Sequence, residues 1–103
     1  MVTELKQRIN EIAAFCERFS VQDLHLFGSG ISAKSISEIG DLDFLVKFRD
    51  MPPAAYMENY FGFIENLTHI FGLRIDLVED IAIRNPFFRK SIDSEKERLY
   101  GVS

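Results

Sequence analysis

Tryptophan is absent from this 103-residue chain, cysteine occurs once, proline three times, and the 12 Lys and Arg are outnumbered by 16 Asp and Glu. Each scarcity excludes a class of protein. Cys16 alone cannot form an internal disulfide, and without a CxxC or a Cys/His spacing neither structural zinc nor dithiol redox chemistry is supported. At a net charge of −4 the chain is a poor non-specific nucleic-acid binder, because phosphates would have to be neutralised by a basic patch, which disfavours binding to long DNA or RNA. The apolar runs are only a few residues long, against the roughly 20 that a membrane span needs. Met1 to Arg8 also lacks the charged stretch and apolar core of a signal peptide. The expectation is a soluble, unprocessed, cytoplasmic protein with no membrane partner.

What is present suits a folded chain. Hydrophobic residues make up 47% and charged residues 27%, far from the composition of disorder, and the length predicts a single domain over residues 1–103. Leu5, Ile9, Ile12, Cys16 and Phe19 recur at four- and three-residue steps, predicting one amphipathic helix from Thr3 to Phe19 with Thr3 as its N-cap. Val21 to Phe27 alternates and runs into glycines, a strand feeding a turn, and the small residues of Ile31 to Ile39 form a short helix or a loop. Asp41 to Phe48 (DLDFLVKF) gives the cleanest strand signal, with Leu42, Phe44, Val46 and Phe48 on one face and Asp41, Asp43, Leu45 and Lys47 on the other.

Pro52 and Pro53 start a long helix ending near Gly72, and Leu73 to Glu79 returns to alternation as a third strand. Phe88, Ile92, Glu95 and Leu99 lie along one stripe, predicting a last helix over 87–99. The order α-β-(α)-β-α-β-α implies a sheet of at least three strands covered by helices, class α/β or α+β.

Three acidic residues stand where a sheet normally spends apolar ones. Asp41 and Asp43 share a strand face, and Asp76 joins them if the second and third strands are neighbours in register. Carboxylates crowded in this way repel one another unless a cation lies between them, and Mg²⁺, a hard ion held by carboxylates, water and phosphate oxygens, is the natural candidate. Such metals serve in-line phosphoryl displacement. A solvated acidic sheet face is the plain alternative. Gly28-Ser29-Gly30 after the first strand offers free N–H groups and a hydroxyl to phosphate oxygens, although such a tripeptide is by itself an ordinary turn. It matches neither GxxxxGK[ST] nor GxGxxG.

Together, Gly28-Ser29, the Asp41-Leu42-Asp43 strand and a later strand bearing Asp76 resemble the signature of the DNA polymerase β nucleotidyltransferase superfamily. The small size and the ending Arg84-Asn85-Pro86-Phe87-Phe88-Arg89-Lys90-Ser91-Ile92, then Glu97-Arg98-Leu99-Tyr100-Gly101, are similar to the minimal nucleotidyltransferase (MNT) antitoxins of HEPN/MNT toxin-antitoxin pairs. The resemblance implies a mixed β-sheet with helices on one face. It implies transfer of AMP from ATP to a tyrosine hydroxyl of a partner HEPN ribonuclease toxin, which is thereby silenced. Asp41 and Asp43 would hold Mg²⁺, Asp76 would complete the metal site and help deprotonate the acceptor, and Gly28 and Ser29 would seat the β and γ phosphates. Two departures stand out: the stretch Gly30–Gly40 is one residue longer than usual, and Gly30 replaces a basic residue, with Lys34 as a possible substitute. They supply the alternative of a catalytically degenerate antitoxin that neutralises by binding alone.

Other residues have plainer readings. His25 is a sheet-face or partner-contact residue rather than a base, His69 is exposed, and Cys16 is core packing. Tyr56, Tyr60, Phe61 and Phe63 are core aromatics at helical spacing, whereas the adjacent Phe87 and Phe88 cannot both face one core.

Overall fold

A computed structural model describes residues 1–102 of the chain. Its elements in order are α1 (Thr3–Gln7), α2 (Ile9–Arg18), β1 (Val21–Phe27), α3 (Ser29–Ser32), β2 (Asp41–Phe48), α4 (Pro53–Phe71), β3 (Arg74–Glu79), α5 (Pro86–Glu95) and β4 (Glu97–Tyr100). The strands form one mixed sheet in the order β3-β2-β1-β4. β1 lies antiparallel to both β2 and β4, while β2 and β3 are parallel and joined through α4, the crossover that a parallel pair requires.

Period-two patterning decides which side of the sheet is covered. Leu24, Leu26, Leu42, Phe44, Ile75 and Leu77 face one way into the main core, against Leu5, Ile12 and Cys16 of α1 and α2 and Phe63 and Leu67 of α4. This is the expected layer of helices on one face of a mixed sheet. α4 starts on Pro53, ends with Gly72 in the left-handed region, and is anchored to β3 by the Tyr60 hydroxyl donating to the Leu77 carbonyl at 3.0 Å. The opposite face is mostly open. There Phe27 and Leu45 pack beneath Ile92 of α5, so this one short helix crosses the open face.

Four local expectations are corrected. The helix over 3–19 is two helices, because Arg8 leaves the helical region (φ −113°, ψ 18°). The N-terminal segment is held elsewhere: Val2 N–H donates to the Gly30 carbonyl, Thr3 N–H to the Lys34 carbonyl, and Glu4 accepts from Ser35 and Ile36. Thr3 is consequently inside α1, and Val2 takes the N-cap position. The last helix stops at Glu95, since Lys96 turns extended (ψ 146°), and Leu99 belongs to β4, paired beside β1. Phe61 is 57% exposed rather than core, being two residues, about 200° of helix, from the buried Phe63. Cys16 is buried and His69 exposed, as expected.

Candidate active site

The open face carries the acidic residues. Asp41 and Asp43 project from β2 opposite the core-facing Leu42 and Phe44, and the parallel register places Asp43 directly beside Asp76 and Asp41 beside Arg74. All three aspartates are half-buried, and one carboxylate oxygen from each lies within 4.8 Å of the others. The adjacency on which the sequence reading depended is therefore present. Burial first, then the charges of Asp41 and Asp76 and a hydrogen bond with Asp76, push the Asp43 carboxyl up from 3.8 to about 6, with Arg74 partly offsetting the shift.

Arg74 was not singled out by the sequence reading. Its Nε donates to Asp76 Oδ1 at 3.0 Å from a side chain that is 75% exposed. The signal was available, since residues 74 and 76 share a strand face.

Gly28 ends β1 against this cluster. Its φ of +73° is a left-handed value, and a Cβ on it would lie 2.5 Å from Oδ2 of Asp43, so glycine is required both for the turn and for the approach. Ser29 follows as an exposed residue opening α3. Gly30 resolves one departure noted in the sequence. A Cβ there would point between Leu26 and Leu42 at 3.1 and 3.2 Å, into the core, so a basic side chain at this position would not face the carboxylates. Lys34, the suggested substitute, is exposed in the following loop, where its N–H donates to Glu38.

His25 of β1 also lies on the open face, paired with Leu45 of β2, outside the carboxylate cluster. Desolvation, then the charges of Lys96 and Arg98, hold its imidazole below its usual pKa. Burial pushes the Cys16 thiol up to about 12, removing it as a nucleophile at neutral pH. A cavity of about 260 Å³ lined by Lys47, Phe48, Arg49, Tyr56 and Glu79 lies at the far ends of β2 and β3. The carboxylates instead stand on open sheet, where a large substrate can reach them.

Three comparisons bear on this site. A family model described as a nucleotidyltransferase domain matches residues 9–99. A Methanocaldococcus jannaschii protein named "Putative protein adenylyltransferase" is 33% identical over 79 residues, which cover 77% of each chain. Among solved structures, one titled as a minimal nucleotidyltransferase superposes with a TM-score of 0.73 at 23% identity, covering 94% of this chain and 95% of the other. Another, with a TM-score of 0.62 and 19% identity over 94% of this chain and 72% of the other, comes from a tri-AMPylated Shewanella oneidensis HEPN toxin in complex with its MNT antitoxin. At these identities the structural likeness is one of fold.

Proposed function

The chain belongs to the nucleotidyltransferase domain family, and from that premise we propose that residues 1–103 act as one adenylyltransferase domain that moves AMP from ATP onto a tyrosine of a HEPN-type toxin, neutralising it in the cytoplasm. The observation that carries this reading is the convergence of Asp41, Asp43 and Asp76 beside the Gly28 turn. The AMPylated toxin bound to an antitoxin of the same fold, and the name of the archaeal relative, support the choice of donor and acceptor.

The donor set fits Mg²⁺. Three carboxylates within 4.8 Å are hard oxygen ligands, and the raised pKa of Asp43 reflects first its burial and then the crowding of Asp41 and Asp76 around it. Asp41 and Asp43 would hold the ion, with Asp76 completing the site. When bound, Mg²⁺ supplies positive charge that offsets the negative charge of the triphosphate.

The rest is work for this chain's own groups. The Gly28 amide and the Ser29 hydroxyl seat the outer phosphates as donors, fixing the α-phosphorus for in-line attack. The acceptor hydroxyl oxygen bonds to that phosphorus as the bond to the bridging oxygen of the β-phosphate breaks. Pyrophosphate leaves, and Asp76 takes the hydroxyl proton. Arg74 holds Asp76 Oδ1 and so orients this base.

Intact-mass spectrometry tests the reading directly. A HEPN-type protein encoded beside this chain, if the locus holds one, is expected on incubation with it, ATP and Mg²⁺ to gain one or more AMP units, and none with an Asp41→Asn/Asp43→Asn variant. A stable complex with no mass gain, or full neutralisation by that variant, would instead identify a binding-only antitoxin.

A further inference from the structure

Glu95 has no place in the reaction described above, yet it reaches the site. It is the last residue of α5, exposed, and its Oε1 accepts a hydrogen bond from the Gly28 amide at 3.3 Å. That amide belongs to the residue packed against Asp43. Glu95 thus brings a fourth carboxylate to the edge of an acidic cluster, and it forms no salt bridge among the described residues. A carboxylate in the last turn of a helix also opposes the negative end of the helix dipole. Nothing in the electrostatics of α5 favours it there except the Gly28 N–H. The contact is enforced from behind, because Ile92 packs on Phe27 and Leu45, and Phe88 sits edge-on to Phe27 with ring centroids 6.4 Å apart.

We infer that Glu95 is a resident anion that occupies the Gly28 amide and competes with the outer phosphates of the nucleotide for it. The inference rests on the reading of Gly28 and Ser29 as the phosphate seat. An N–H shared between two anions binds each more weakly than it would bind one, and a carboxylate beside the seat repels an incoming triphosphate. Nucleotide loading therefore requires the Glu95 side chain to swing away, and Glu95 sets affinity for the phosphates rather than for the nucleoside.

Calorimetric titration separates these outcomes, using wild type, Glu95→Gln and Glu95→Ala with ATP and with pyrophosphate in Mg²⁺, and with AMP. Both variants are expected to bind ATP and pyrophosphate about tenfold more tightly than wild type. AMP, which lacks the outer phosphates, is expected to bind all three proteins equally. Thermal melts confirm that the variants are folded, which an exposed side chain favours. If wild type binds ATP and the variants bind no tighter, or more weakly, Glu95 is not a competitor. Tightening in Glu95→Gln alone also overturns the inference, because the gain then comes from the new amide donor. If neither wild type nor variant binds ATP, the functional reading falls and the competition falls with it.

Discussion

Gly28 and Asp43 are coupled more closely than their separation in sequence implies. Adding a methyl group at Gly28 meets two obstacles, a φ of +73° and an Asp43 oxygen 2.5 Å from the new carbon. With ψ at −153° this backbone is open almost only to glycine and costs another residue about 1–3 kcal/mol, and the contact displaces the Asp43 carboxylate. Gly28→Ala is therefore expected to destabilise the chain by that amount in urea titration while abolishing AMP transfer, a larger functional than structural loss.

Asp43→Asn has the opposite sign for stability. Asp43 titrates near 6 in the folded chain against an ordinary 3.8, so its stabilising contribution is full below about pH 4 and is lost as pH rises through 6. An asparagine keeps a hydrogen bond for Asp76 without the charge. In the absence of divalent metal, Asp43→Asn should melt about 3 °C above wild type at pH 7.5, a modest gain because solvent screens the site, and no higher than wild type at pH 4. Its AMP transfer should be undetectable. Scanning fluorimetry at the two pH values measures the first, and mass spectrometry of the acceptor the second.

At the scale of elements, the sequence was most legible where one segment's own pattern decides its structure. The alternation of DLDFLVKF and the Pro52-Pro53 to Gly72 helix are local signals, and both elements form as expected. β4 was not legible because its cause is non-local. Glu97–Tyr100 becomes a strand by pairing with the otherwise open edge of β1 and through Arg98 Nη1 donating to Asp23 Oδ1 at 2.8 Å, neither of which a helical stripe through Phe88, Ile92, Glu95 and Leu99 reveals. The break at Arg8 likewise follows from contacts with a loop some 30 residues away, such as the Glu4 to Ser35 bond. The carboxylate cluster was half legible: residue types and period two place Asp41 and Asp43 on one face, while the nearness of Asp76 needed the β2–β3 register. The sequence places Glu95 on the stripe of the last helix but carries no signal of its contact with Gly28, which spans 67 positions. If β4 closes the sheet edge, Leu99→Ala should cost about 2–3 kcal/mol in urea unfolding, because the 9%-exposed Leu99 packs in the main core. A loss below 0.5 kcal/mol would mean that this edge is not docked in solution.

For the molecule as a whole, the sheet divides labour between its faces. The buried face spends nearly all its residues on the core, so the open face is free to carry charge, and α5, with Ile83 beside it, covers only part of it. Charge concentrated in this way costs stability that a bound cation restores, which makes metal binding readable from the melting of the entire chain. A ligand at ten times its dissociation constant stabilises by about 1.4 kcal/mol, and in a domain of this size that raises the melting temperature by roughly 5–10 °C. Mg²⁺ must displace the proton of Asp43 when the pH lies below about 6, so the rise should be full at pH 7.5 and much reduced at pH 5. Asp43→Asn/Asp76→Asn should show no Mg²⁺-dependent rise at either pH. The ranking of proteins should also invert: Asp43→Asn melts above wild type in chelator and below it in saturating Mg²⁺ at pH 7.5. A rise of equal size in wild type and double variant would place Mg²⁺ elsewhere on the acidic surface and remove the carboxylate cluster as its site.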